Sequence, residues 1–353
     1  MKYSSLFYLI FFLFGPVVIN GQAEALRGEI EKIIRYETSV DYNVVPGILV
    51  GVIDGDSTFK FSFGNDINIE GVFEMGSVSK PISALLIQDA LSMLNFKTNT
   101  SICSFLPDTL CVDNWSRITF EQIINHQAGL MRLAPGIGEI ETDVRDPYQH
   151  YNLMELIHDI KEINPVPGRY SYSHMGYAMS YWLFEKVGGL KAFTENRFTG
   201  PLRLNHTTWD LQHDLIATGH GLDGRVQPPW HTNALTPALG LKSSLDDVLQ
   251  IIRIFNLRYE ESYTKVSDAG INKELKTLAK RGSYKVIDGW FVIRYGKNLV
   301  YYHNGRTGGH HVSIAFTPHL LKGVVVIANG AMGSNDLSLL ILRMVNKAKR
   351  KSS

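Results

Sequence analysis

Ser77-Val78-Ser79-Lys80, inside the phrase Phe73-Glu74-Met75-Gly76-Ser77-Val78-Ser79-Lys80-Pro81-Ile82, sets a hydroxyl and an amine three residues apart. On a helix this spacing brings both side chains to one face, with Cβ atoms roughly 5–6 Å apart. Lys80 Nζ can then take the proton of Ser77 Oγ as the hydroxyl attacks a carbonyl, which is acyl transfer through a serine. Two other stretches have the same form, Ser57-Thr58-Phe59-Lys60 and Ser262-Tyr263-Thr264-Lys265. Ser57 follows the turn signal Asp54-Gly55-Asp56 in an alternating segment, where positions three apart point to opposite faces of a sheet. Ser262 follows the charged run Arg258-Tyr259-Glu260-Glu261, which reads as solvated surface. Only Ser77 follows a glycine and opens an apolar helical run, residues 82–94, where backbone N–H groups favour developing negative charge. A helix-capping serine would show the same local pattern.

A lysine of ordinary pKa, about 10.4, is protonated at neutrality and is no base. The chemistry therefore requires a second group near Lys80, or surroundings that lower its pKa. Tyr172 is the candidate, in Pro167-Gly168-Arg169-Tyr170-Ser171-Tyr172-Ser173-His174-Met175-Gly176-Tyr177, where the Pro-Gly turn presents a short extended piece before a new helix. Taken alone, Tyr172 also reads as a core aromatic beside Tyr170 and Tyr177.

Whatever positions these groups must be built from 353 residues, enough for one large domain or two intergrown ones. The chain is 44% hydrophobic and 20% charged with a formal charge of +1, which leaves no electrostatic footprint for nucleic acid. Lys2, the apolar residues 6–19 and Gly21-Gln22-Ala23 read as an export signal over residues 1–23, with a mature domain over 24–353. The expected protein is exported, periplasmic or secreted, with no integral membrane association after signal cleavage. In an oxidising compartment Cys103 and Cys111 can close a small loop worth ~2–3 kcal/mol, and two free buried thiols are the alternative. No metal site or cofactor is expected. His310 and His311, as strand neighbours, point apart, and His126 reads as a hydrogen-bonded structural histidine.

Apolar periodicity predicts a helix over residues 25–36 and a hairpin of strands 48–53 and 58–63. Strands follow at 290–295, 299–303, 312–317 and 323–328, with a closing helix over 337–346. Between them, residues 91–236 show short helical patterns and many Pro and Gly turns. The expected fold class is α+β, an antiparallel sheet flanked by helices. Residues 24–90 and 237–353 build the sheet subdomain, and 91–236 form a largely helical insertion.

With these motifs in order, the chain resembles the serine β-lactamase and penicillin-binding protein superfamily. The likeness is greatest to its class C-like branch, which also holds D-alanyl-D-alanine carboxypeptidases, D-aminopeptidases and esterases. Ser77-Val78-Ser79-Lys80 matches the first family motif, Tyr172-Ser173-His174 its Tyr-x-Asn motif and His303-Asn304-Gly305 its Lys-Thr-Gly strand. The phrases Ile118-Thr119-Phe120-Glu121-Gln122-Ile123-Ile124-Asn125-His126-Gln127-Ala128-Gly129-Leu130 and Ala238-Leu239-Gly240-Leu241-Lys242-Ser243-Ser244 are also similar to family phrases.

The resemblance implies a β-lactamase/transpeptidase-like fold. It implies Ser77 as nucleophile, Lys80 as proton acceptor or electrostatic activator, and Tyr172 as general base or acid. An oxyanion would sit between the backbone N–H groups of Ser77 and Arg306, and Gly305 would admit the substrate backbone. Apart from the resemblance, of the strand neighbours His310 and His311 it is His310 that is expected to line the pocket. His174 stands where the family has asparagine, and His303 where it has lysine. With an imidazole pKa near about 6.5, His303 would anchor a substrate carboxylate weakly at neutral pH. A small-molecule or peptide substrate with an ester, D-amino-acid peptide or lactam carbonyl is expected. The alternative is a penicillin-binding or sensor module that does not turn over.

Overall fold

The structure, a computed structural model, describes residues 20–139, 143–211, 216–260, 284–295, 298–331 and 336–347. Ser262 and most of the expected export signal lie outside these residues. The first strands are β1 (Gly47–Asp54), β2 (Ser57–Gly64) and the three-residue β3 (Val72–Glu74). A two-residue pair follows, β4 (Gly219–His220) and β5 (Val226–Gln227), and then β6 (Lys242–Ser244). The last strands are β7 (Tyr284–Ile287), β8 (Trp290–Tyr295), β9 (Asn298–Arg306), β10 (His311–Thr317) and β11 (Lys322–Ala328). Seven of them form one sheet in the order β2-β1-β11-β10-β9-β8-β7, every pairing antiparallel. The two halves of the chain thus meet at β1 and β11, where Ile48 pairs with Ala328.

Period-two alternation explains how this sheet serves two layers. Ile48, Val50 and Val52 of β1, with Val324, Val326 and Ala328 of β11, face a core that also contains Ile30, Ile34, Leu337, Ile341 and Val345. Those last five residues belong to the helices Asn20–Glu37 and Leu337–Lys347, which cover that face. The alternate residues Leu49, Ile53, Val325 and Ile327 face a second core shared with the helices Ser79–Met93 and Leu245–Glu260. β9 obeys the same rule: Leu299 and Tyr301 enter the second core, so His303 and Gly305 lie on the face that looks toward Ser77.

Strand alternation located β1, β2 and β8 to β11 to within a few residues. Two features differ from expectation. The first helix begins at Asn20 rather than residue 25, and so runs across the boundary expected near residue 23. β3, β6 and β7 were not expected, and segments of three or four residues are too short to display a period. Within 91–236 the described residues form short helices, 3-10 turns and the β4–β5 pair. Cys103 and Cys111 are joined in a disulfide, their Cα atoms 5.4 Å apart. No helix among the described residues is long and apolar enough to cross a membrane.

Candidate active site

Ser77 sits in a 3-10 turn, Gly76–Val78, at the start of the Ser79–Met93 helix. Of residues 71–87 it alone is not buried. It does not cap the helix: no side chain caps either the turn or the helix, and Ser77 Oγ instead receives Lys80 Nζ at 3.1 Å. The turn is gripped from two sides. β3 pairs with β6, and Met75 N–H donates to Leu241 O at 2.9 Å. On the other side Gly76, at φ +50, lies against Arg306; a Cβ there would stand 2.8 Å from Arg306 N. A Cβ at Gly305 would overlap the Met75 carbonyl oxygen and lie 2.8 Å from Ser77 N, so glycine is required where β9 crosses the turn.

The hairpin that follows sets the direction of the Arg306 N–H. Thr307 N–H donates to His310 O at 2.9 Å, and Arg306 stands opposite His311. Antiparallel pairs alternate between bonded and unbonded, so Arg306 turns its N–H away from β10, toward the Ser77 turn.

Lys80 is fully buried and its Nζ also donates to Ala238 O at 3.0 Å. Burial, with the nearby Arg132 charge, holds its pKa well below the ordinary lysine value. Tyr172 presents its ring to this group, with Lys80 Nζ 5.0 Å from the centroid. Burial raises the phenol, while a hydrogen-bonding interaction with Ser77 and the Arg132 charge counteract part of the rise. Tyr172 is held by the segment before it: Ser171 N–H donates to His126 O at 2.8 Å and Ser173 N–H to His126 Nδ1 at 3.1 Å. His126, at φ +58, makes this double contact with its ring 4.4 Å from that of Tyr172, which is the structural role expected of it.

His174 and His303 both stand at this site. His174 is buried with its ring 5.6 Å from that of Tyr172, and the His303 ring lies 6.5 Å from that of Tyr172 and stacks on Phe291 at 5.1 Å. Burial and the Lys80 charge push the His303 pKa down to about 3, against the hydrogen bond it shares with Asn304 O. The same two causes hold His174 and His126 well below the ordinary imidazole value. All three rings are thus neutral at neutral pH. His126 Nε2, His174 Nδ1 and His303 Nε2 are each buried without a hydrogen-bond partner, which concentrates unused polar capacity around Tyr172.

His310 departs from its expected place. It is 1% exposed and its Nδ1 faces Glu74 Oε2 at 3.0 Å, beneath the β9–β10 turn rather than on an open wall. Strand alternation misplaced it because it precedes β10 and belongs to the turn. Burial alone would raise the Glu74 pKa. Hydrogen bonds from His310, the Trp230 N–H and Thr307, with the His310 charge, carry it below the ordinary value instead. An open depression of about 820 Å³ lies beyond this turn, between Arg145, Gln149, Gly219 and Gln227, and Ser77 is not on its wall.

Three participants were not singled out from the sequence: Arg132, the Ala238 carbonyl and the Glu74 clamp. A carbonyl carries no residue-type signal, although Ala238 lies within one of the two family-like phrases. Arg132 lies in a loop without periodicity, and its guanidinium carbon is 5.5 Å from the Tyr172 ring centroid.

This chain and its fold have counterparts. A sequence profile of the Beta-lactamase family matches residues 35–344. The Unguisins hydrolase ungD of Aspergillus violaceofuscus is 22% identical over 339 residues, covering 82% of this chain but only 59% of that protein. The Beta-lactamase of Escherichia coli K12 is 23% identical over 338 residues, covering 82% of this chain and 85% of that protein. Among solved structures, a class C beta-lactamase mutant and a second class C beta-lactamase each superpose with a TM-score of 0.72. Their sequence identities are 16% and 17%, and each match covers 93% of this chain and 99% of the neighbour. The chain belongs to the Beta-lactamase family. It is a serine hydrolase of the serine β-lactamase and penicillin-binding protein superfamily.

Proposed function

We propose that this protein is an exported hydrolase working through a covalent acyl-enzyme on an ester, D-amino-acid peptide or β-lactam-like carbonyl. The observation that carries the reading is the 3.1 Å contact between Lys80 Nζ and the Oγ of Ser77, the one residue of its segment open to solvent. Ser77 Oγ attacks the carbonyl carbon as its proton passes to neutral Lys80, whose buried setting favours the uncharged form. The developing oxyanion is held by the N–H groups of Ser77 and Arg306, donors that need no reorganisation. Tyr172 relays the proton to the departing oxygen or nitrogen, and then from the water that releases the acyl group. Export rests on Lys2 and the apolar residues 6–19.

The neutral state of His303 bears on the substrate. A cation on β9 at this position would anchor a carboxylate, and a buried imidazole of pKa about 3 does not. Esters and peptide-like amides therefore fit this strand better than a lactam held by its carboxylate. The same feature favours a second reading, acylation without turnover.

A fluorophosphonate probe separates these readings from an inert site: the adduct should map to the peptide containing Ser77. An adduct elsewhere, or none, rejects the serine assignment. Nitrocefin, a p-nitrophenyl ester and a D-Ala-D-Ala peptide should then be compared on the same preparation. Continuous turnover supports the hydrolase, whereas a stoichiometric burst that stops supports the sensor.

The crossing of β9 over the Ser77 turn supplies a further test. Gly305→Ala must push the strand off the Met75 carbonyl and so spread the two backbone donors. The rate of probe acylation should fall about 10- to 100-fold, approaching the loss of one oxyanion donor. A rate within about twofold of the parent would show that the donors are placed by other contacts.

A further inference from the structure

The charges around Tyr172 are lopsided. Lys80 is buried and occupied by Ser77 and Ala238, and His126, His174 and His303 are neutral at neutral pH. Arg306 is exposed, but it alternates with Gly305 along β9 and so points to the opposite face of the sheet. Arg132 remains, an exposed residue whose guanidinium carbon lies 5.5 Å from the Tyr172 ring centroid. Its backbone is tied to the same segment, since the His174 N–H donates to Arg132 O at 3.0 Å.

Four carboxylates of the described residues are engaged with other partners. Glu74 is buried against Trp230 N–H, Thr307 and His310. Asp143 holds Arg145, Asp146 holds His231 at 2.6 Å, and Asp288 accepts from the Tyr259 hydroxyl at 2.9 Å. Among the described residues none forms an ion pair or hydrogen bond with the Arg132 side chain.

We propose that Arg132 is a specificity-determining residue that binds an anionic group, a carboxylate, carried by the substrate near its scissile carbonyl. The inference rests on the serine hydrolase reading and names its substrate class. The guanidinium offers a planar fork of donors suited to a carboxylate. Its place against Tyr172 leaves an anion bound there beside the reacting centre. The positive charge that β9 lacks at His303 is thereby supplied from a different loop.

Arylboronic acids test this without requiring turnover, because they bond reversibly to a nucleophilic serine. Affinities of phenylboronic acid and of 3- and 4-carboxyphenylboronic acid would be measured by calorimetry, with the corresponding carboxamides as uncharged controls. The parent should prefer at least one carboxylate over its carboxamide by about tenfold or more, the range of a charge-assisted hydrogen bond. That preference should collapse in Arg132→Gln and persist in part in Arg132→Lys. In the parent itself it should shrink as salt is raised, since Arg132 is an exposed residue. Equal affinity for the charged and uncharged compounds in the parent, or an undiminished preference in Arg132→Gln, overturns the proposal. If no boronate binds, the serine reading itself falls, and the carboxylate inference with it.

Discussion

Ser77→Ala is expected to lower kcat/KM by on the order of 10⁴–10⁶-fold toward any ester, peptide or lactam that the parent hydrolyses. The size follows from the arrangement. Without Oγ there is no atom to form the acyl-enzyme, and the residual rate rests on the two backbone donors and on binding. The fold should survive, because Ser77 is partly exposed, caps no helix and, besides its interaction with Tyr172, takes a side-chain hydrogen bond from Lys80. Losing that bond costs about 1 kcal/mol. Steady-state kinetics beside a thermal melt checks both halves. A variant that keeps more than about a tenth of the parental rate while folded would place the nucleophile elsewhere.

Lys80→Met carries the second large effect, a fall of roughly 10²–10⁴-fold in kcat/KM, since it removes the base that accepts the serine proton. Methionine nearly preserves volume, so the loss should be chemical rather than a packing failure. The pH dependence of stability gives an independent signature. In the parent the Lys80 pKa is depressed on folding, so between the folded-state value and about 10.5 the unfolded chain binds more protons than the native one. Parental stability from this group is full above about 10.5 and declines as pH falls toward the folded pKa. The variant lacks this term. Denaturant melts should therefore show Lys80→Met gaining on the parent as pH is lowered from about 10.5. A difference that does not change with pH would mean that Lys80 is not perturbed as its burial requires.

What could be read from the chain without coordinates divides along a physical line. The Ser77–Lys80 pair was legible because a single helical turn places it, and β1, β2 and β8 to β11 because alternation is a local pattern. The Pro167-Gly168 turn ahead of Tyr172 was visible too, and Gly168 does adopt φ +83. Features fixed by distant chain segments were not legible. Lys80 meets Ala238 O, Glu74 meets His310 and Arg132 meets Tyr172, each across a stretch of sequence that carries no mark of the encounter. His303 shows both sides of this line. Its type and strand position were plain, but the depth that keeps its ring uncharged comes from Phe291, Tyr172 and Lys80 packed around it.

The pairing of Ile48 with Ala328 has a consequence for biosynthesis. A ribosome releases the β1–β2 hairpin early, and the strand that must zip alongside it is among the last to be made. For most of translation an apolar ribbon with one open flank waits for its partner, the condition under which nascent chains stick to each other. Chains stopped short of β11 should accordingly be recovered as aggregates or in the grip of chaperones, even when every residue that touches substrate is already present.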